Sequence, residues 1–295
     1  MNIEMAVTAS MVKELRERTG AGMMECKRAL VETNGDLDAA AEYLRKSGLA
    51  QADKKASRVA AEGLIIIASN DDQTESVMVE INCETDFVAK DANFLKFVNE
   101  VAANALNAST DDIEVLMNTE SDGSSLEVAR QALVSKIGEN VQVRRLARTK
   151  TDSIIGAYVH GGRIGVLVEI DGGDNELARD IAMHIAALNP EYVDEDAVPS
   201  EVLEKEKQFL ISQAADSGKP ADIIEKMVSG RLRKYLAGIT LLGQSFVKDG
   251  DITVSKLLEQ KGGSVKGFTR LEVGEGIEKK QENFAKEVMQ QVKGG

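Results

Sequence analysis

The sequence predicts an α+β chain built of several units, and three observations carry that prediction. Apolar residues in the first 50 positions recur every three to four residues, the spacing of amphipathic helices. From Gly63 the pattern changes to short apolar runs bounded by polar turns, the mark of strands. After residue 153 the strand, strand, helix order returns, which points to a duplicated unit.

Taken in order, Thr8 is a good N-cap for a first helix carrying Val12, Leu15 and Thr19. The run Thr19-Gly20-Ala21-Gly22 breaks it. A second helix over 23–33 puts Met23, Cys26 and Leu30 on one stripe. After the turn Asn34-Gly35-Asp36, a third helix spaces Leu37, Ala40, Ala41 and Leu44 along one face, and Gly48 is read as its end. Three short helices with tight turns make a small bundle. Residues 51–58 are polar and basic and read as a helical or flexible linker.

Strands follow over 64–67 and 77–81, joined by the polar turn at Asn70-Asp71-Asp72. A helix then carries Phe94, Val98, Val101 and Ala105, a second helix covers 125–139, and 141–147 reads as a strand. The second copy has a hairpin of 154–160 and 164–170 across Gly161-Gly162, a helix over 175–188 and a closing strand at 268–273. The runs Val79-Glu80-Ile81-Asn82 and Val168-Glu169-Ile170-Asp171 correspond. Each copy is predicted as an antiparallel sheet with helices on one face. Between Pro190 and Gly238 the second copy is interrupted by two helices, over 201–215 and 221–236, separated by Ser217-Gly218-Lys219-Pro220. A helical hairpin projecting from a sheet has little of its own to bury against, so it suits self-association or a partner. A short helix over 281–292 ends the chain.

Composition narrows the functions. At 295 residues and 43% hydrophobic, the chain can bury more than one core. No apolar run reaches the roughly 20 residues of a membrane span, and the first ten residues hold neither a basic cluster nor an apolar block. A cytoplasmic protein with no membrane partner is expected. The formal charge of −13 disfavours direct nucleic-acid binding, which works by neutralising phosphates. That charge is unevenly spread, +1 over 1–58 and −14 over the rest, leaving a weak basic face on the bundle. Two distant cysteines, Cys26 and Cys83, read as buried small hydrophobes in a reducing compartment, not as a metal site.

Reaction chemistry finds little support. Of two histidines, His184 sits mid-helix in an apolar run and reads as a satisfied core residue, leaving His160. No nucleophile–His–carboxylate arrangement and no phosphate-binding GxxxxGK[ST] loop is present. Gly161-Gly162-Arg163-Ile164-Gly165 joins two strands and lacks the helix N-terminus that phosphate needs. No cofactor or metal is expected, and the chain reads as a binding protein, not an enzyme.

Two segments suggest contact surfaces. Of the adjacent Met23 and Met24, only one can face the bundle core, and flexible thioethers suit partner surfaces. In Thr85-Asp86-Phe87-Val88-Ala89-Lys90-Asp91, a strand-to-helix corner would present Phe87. On periodicity alone Phe87 lies seven residues before Phe94 and belongs to that helix's buried face.

At these residues the sequence resembles a known family. The run Lys13-Glu14-Leu15-Arg16-Glu17-Arg18-Thr19-Gly20-Ala21-Gly22-Met23-Met24 is similar to the N-terminal signature of bacterial elongation factor Ts. So are Asn82-Cys83-Glu84-Thr85-Asp86-Phe87-Val88-Ala89-Lys90-Asp91, His160-Gly161-Gly162-Arg163-Ile164-Gly165-Val166-Leu167-Val168 and Glu272-Val273-Gly274-Glu275-Gly276-Ile277-Glu278. The resemblance implies a guanine-nucleotide exchange factor for the GTPase elongation factor Tu. It implies a ubiquitin-associated-like bundle with its linker (1–58), core subdomains at 59–152 and at 153–189 with 238–275, a helical dimerisation insert (190–237) and a C-terminal helical module (276–295). It leaves room for a homodimer within a heterotetramer. By position, Arg16, Met23 and Met24 would touch the partner, and Thr85, Asp86, Phe87 and Val88 would form the element that dislocates the partner's Mg²⁺, with His160 assisting. Phe87 would then insert between partner helices, against the reading from periodicity.

Two rival readings stay open to test: an adaptor resting on residues 1–58 alone, and an enzyme using His160 with a nearby carboxylate.

Overall fold

The computed structural model describes residues 7–108, 110–121, 123–215 and 220–278. Helices α1 (Ala9–Thr19), α2 (Met23–Glu32) and α3 (Leu37–Lys55) form the N-terminal bundle around Leu15, Cys26, Ala29, Leu30 and Ala40. Side chains cap the starts of α1, as the sequence suggests, and of α3. Thr8 Oγ1 accepts the Met11 N–H at 3.3 Å, and Asp36 Oδ1 accepts the N–H groups of Asp38 and Ala39 at 2.9 Å each.

Two expectations change here. Met23 does not join the buried stripe of α2, which is Cys26, Ala29 and Leu30. Met23 opens the helix one turn outside the core, and Ala21 of the preceding loop packs there instead. Nor does Gly48 end α3, which runs on to Lys55. The missing side chain serves close packing: a Cβ on Gly48 would lie 3.3 Å from Ser135 Oγ of a later helix. One turn further, Ala52 is buried in the next unit's core. The linker is therefore helical over most of its length and packed.

The first sheet holds β1 (Glu62–Ser69), β2 (Glu75–Cys83) and β5 (Val141–Lys150) in the order β1-β2-β5, all antiparallel. Between β2 and β5 come α4 (Ala92–Asn107), a short α5 (Ile113–Met117), a tiny hairpin of β3 (Glu120–Ser121) and β4 (Ser124–Ser125), and α6 (Leu126–Ile137). The second sheet holds β6 (Ile154–His160), β7 (Ile164–Gly172) and β10 (Gly263–Glu272) in the order β10-β7-β6. Its helix is α7 (Asn175–Leu188). In both sheets the second strand is central, flanked by its hairpin partner and by the last strand of the unit. The duplication read from sequence is thus a duplication of topology.

Each central strand is buried on both faces. Val77, Val79 and Ile81 of β2 pack with Phe94, Val98 and Val101 of α4, and Val166, Val168 and Ile170 of β7 with Ile181 and Ile185 of α7. On the opposite faces the two sheets meet through Ile65, Met78, Leu167, Leu271 and Val273. The layers run helix, sheet, sheet, helix. A Cβ on Gly165 would lie 2.5 Å from Ile65 Cγ2 and 2.6 Å from Met78 Sδ, so only glycine fits where the sheets cross. At the edge of this layer lies Glu80, fully buried, its carboxylate bound by Arg145, by Arg144 at 3.2 Å, by Asn82 Nδ2 at 3.0 Å and by the Gly274 N–H at 2.8 Å.

Helices α8 (Ser200–Ala215) and α9 (Ala221–Ile239) pair through Leu210, Ala214 and Val228, leaving Phe209, Ile211 and Ile223 exposed. Most of the turn expected between them, and the helix expected over 281–292, lie outside the described residues. Before β10 the chain forms β8 (Ser245–Phe246), β9 (Asp249–Thr253) and α10 (Val254–Lys261), which the sequence reading does not anticipate.

Candidate partner-binding site

The strand-to-helix corner is built by pinning Thr85, Val88, Ala89 and Asp91 on either side of Phe87. Strand β2 ends at Cys83, and two residues on, Thr85 is held from the side. Its N–H donates to Glu139 Oε2 at 3.0 Å and its hydroxyl to Glu139 Oε1 at 2.8 Å. The chain then makes one 3₁₀ turn, Val88–Lys90, closed by the Lys90 N–H donating to the Phe87 carbonyl at 3.1 Å and the Asp91 N–H to the Val88 carbonyl at 2.9 Å. Val88 and Ala89 are buried against α4. Asp91 is extended and caps α4, its Oδ1 accepting the Asn93 and Phe94 N–H groups at 2.8 and 3.3 Å.

That cap decides where Phe87 goes. The seven-residue spacing to Phe94 matters only in one unbroken helix, and the extended Asp91 interrupts it. Val88 enters the core in place of Phe87, which is left 81% exposed. The expectation from periodicity is corrected here.

Asp86 faces solvent and pairs with Lys90 Nζ at 2.9 Å. Its carboxyl sits below the ordinary value, chiefly through the Lys90 hydrogen bond and charge, with Arg163 adding attraction. Arg163 comes from the turn between β6 and β7 and is ion-paired to Glu62 at the start of β1. The same turn is fastened to β1 by the Ile65 N–H donating to the Gly162 carbonyl at 2.7 Å. Glu62 lies across from Cys83 in the sheet. The turn that follows His160 therefore sits at the same end of the molecule as Phe87. His160 itself is exposed, its Nδ1 3.2 Å from the Tyr158 hydroxyl.

Arg16, Met23 and Met24 gather elsewhere, in a groove of about 400 Å³ between α1 and α2. Val7 and Val12 add apolar lining, while Lys13 and Lys27 join Arg16 as its basic groups. Met23 and Met24 are 61% and 73% exposed, so both adjacent methionines face out, where one was expected to turn inward.

Sequence reasoning did not pick out Arg163 or Glu139. Arg163 lay inside a motif already quoted. Glu139 carries no local signal, because its partner Thr85 is 54 positions away.

Other titratable groups are occupied structurally. Both ring nitrogens of buried His184 are used, Nε2 with Gln244 Oε1 at 2.9 Å and Nδ1 with the Val247 N–H at 3.1 Å. Burial, helped by the charges of Glu139 and Glu62, pushes the Cys83 thiol up to about 12, so it stays protonated and unreactive. Among the described residues no group of three or more His, Cys, Asp or Glu is placed to hold a metal ion. No described helix is long and apolar enough to cross a membrane.

Residues 84–275 match the family model described as Elongation factor TS, a span that takes in the corner, β5, the second sheet and the helical insert. Elongation factor Ts of Thioalkalivibrio sulfidiphilus (strain HL-EbGR7) is 63% identical over 292 residues, 98% of this chain and 100% of that protein. Elongation factor Ts of Alkalilimnicola ehrlichii is 58% identical over 291 residues, 98% and 100% of the two chains. Elongation factor Ts of Legionella pneumophila (strain Paris) is 54% identical over 288 residues, 97% and 99%. Likeness of this degree over nearly the whole length leaves one assignment: the chain belongs to the elongation factor Ts family.

Proposed function

We propose that the chain is a guanine-nucleotide exchange factor of protein synthesis. It binds elongation factor Tu, dislocates the bound Mg²⁺ and promotes GDP release so that GTP can rebind. The observation that carries this reading is Phe87, a large apolar side chain held 81% exposed on a corner whose Thr85, Val88, Ala89 and Asp91 are pinned. An exposed aromatic on a rigid support loses little entropy on docking and suits insertion into a partner.

The physics is linkage. GDP and its cation are held in a GTPase by a helix N-terminus, backbone N–H groups and metal bridges to phosphate. A protein that binds the empty GTPase more tightly than the GDP form weakens GDP binding by the same factor. Phe87, with Asp86 beside it and His160 on the neighbouring hairpin, would part the partner's helices and move the metal's ligands. Loss of the cation leaves phosphate charge uncompensated, and the nucleotide departs. No covalent step is required of this chain.

The groove with Arg16, Met23 and Met24 would supply a second contact, its basic groups favouring an acidic partner face. Helices α8 and α9 would carry self-association through Phe209, Ile211 and Ile223. The same reading places the protein in the cytoplasm, with no direct nucleic-acid or membrane partner, and keeps the division into bundle, two core subdomains, insert and C-terminal module.

Stopped-flow release of a fluorescent GDP from elongation factor Tu tests it. Wild-type chain accelerates release, and Phe87→Ala slows the maximal rate by about tenfold while the fold is kept. An unchanged rate for Phe87→Ala would remove Phe87 from the mechanism.

A further inference from the structure

Phe87 and the α1–α2 groove lie in different units, so a partner engaging both requires them at a fixed spacing. We infer that Glu139 and Asn140, the last two residues of the turn joining α6 to β5, act as a positioning brace that holds the exchange corner and the end of α3 to one support. This rests on the exchange reading above.

The two side chains reach in different directions from adjacent positions. Glu139 uses both carboxylate oxygens on Thr85, one for the N–H and one for the hydroxyl, two residues before Phe87. The Asn140 N–H donates to Glu84 Oε1 at 2.6 Å. The fully buried Asn140 side chain donates through Nδ2 to the carbonyls of Ala56 and Arg58 at 3.3 and 2.8 Å, just past the end of α3. Arg58 closes the circuit by pairing with Glu84 at 3.5 Å. Gln142 Nε2 adds a second bond to the Ala56 carbonyl at 3.1 Å.

Asn140 is fully buried, and the half-buried Glu139 has both carboxylate oxygens taken up by Thr85. Their effect is preorganisation: Phe87 stands at a set angle because Thr85 cannot swing, and the bundle stands at a set distance because α3 is tied beside it. Insertion of a side chain between partner helices depends on such placement, and small misplacements of a positioned group cost large factors in rate.

The experiment measures maximal GDP release and half-saturating concentration for full-length variants, with thermal unfolding to monitor the fold. Glu139→Ala is expected to lower the maximal rate about tenfold with little change in half-saturation. Glu139→Gln is expected to restore most of it, because Gln Oε1 can accept the Thr85 N–H while Nε2 donates to the Thr85 hydroxyl. On a Phe87→Ala background, Glu139→Ala should have no further effect, since it acts through that side chain. Asn140→Ala should instead raise the half-saturating concentration, by loosening the bundle.

A Glu139→Ala rate equal to wild type, or a full loss that persists on the Phe87→Ala background, overturns the brace while leaving the exchange reading intact. Should Glu139→Ala fail to fold, Thr85→Val reports on the same hydroxyl contact and must show the same dependence on Phe87. Wild-type chain that does not accelerate release overturns the exchange reading, and the brace with it.

Discussion

Glu80 of β2 accepts the Gly274 N–H at 2.8 Å, a bond between a buried carboxylate of one sheet and the turn that leaves the last strand of the other. The same carboxylate holds Arg144 and Arg145 from β5. One side chain therefore fastens three segments across the layer where the sheets meet.

Glu80→Ala leaves two arginines beside an empty buried site, a class of change that costs about 3–5 kcal/mol. Glu80→Gln, which keeps volume and one acceptor, should cost less. Burial works against the Glu80 charge, yet the Gly274 N–H, Arg145 and Asn82 together hold its carboxyl below its ordinary value of 4.5. A depressed folded pKa means stabilisation present above the unfolded value and lost as pH falls through the folded one. The urea midpoint difference between wild type and Glu80→Gln should be constant at neutral pH and shrink below 4.5. A difference independent of pH would show that the charge contributes nothing.

His184 titrates with the same sense over another range. Burial pushes its pKa below 6.5, and the Gln244 hydrogen bond opposes this only in part. The unfolded chain takes up a proton near 6.5 that the fold refuses, so stability falls as pH drops below that value. His184→Leu removes this slope and leaves Gln244 Oε1 and the Val247 N–H unpaired, at a cost of about 1–3 kcal/mol at pH 7. Denaturation midpoints between pH 5 and pH 7 would check both signs, and an unaltered slope in His184→Leu would contradict the assignment.

Gly165→Ala should destabilise by about 1–3 kcal/mol, because the added methyl meets Ile65 and Met78 from opposing strands. Loss should show in thermal melting. An unchanged midpoint would mean the sheets part more readily than their packing implies.

Removal of residues 199–236 should reduce any self-associated mass in sedimentation while leaving GDP release from elongation factor Tu as fast as with the whole chain. Slowed release would instead assign the insert to the partner contact.

Much of this architecture is legible in the sequence where signals are local. Helix α7 begins and ends at the expected residues, because Asp174 caps it and Leu177, Ile181 and Ile185 mark its face. The paired sheets follow from apolar runs repeated in the same order. What escapes depends on contacts distant in sequence. Gly48 looks like a stop until α6 is seen beside it, and Met23 looks buried until Ala21 is found in its place. Phe87 looks like a core residue until Asp91 is seen to start a new helix. The resemblance to a family corrected Phe87, but nothing in the residues near Glu139 announces its grip on Thr85. The short elements β8, β9 and α10 were missed because none is long enough to show a period.

The pairing of β7 with β10 has a bearing on how the molecule is made. Gly172 lies opposite Gly263, so a ribosome must extrude the helical insert and α10 before the second sheet can gain its third strand. The first sheet is complete by Lys150, yet its Glu80 waits for Gly274. Neither the second sheet nor the Glu80–Gly274 bond can be completed until residues 263–274 have emerged, so the contacts that join the two halves are the last the growing chain can make.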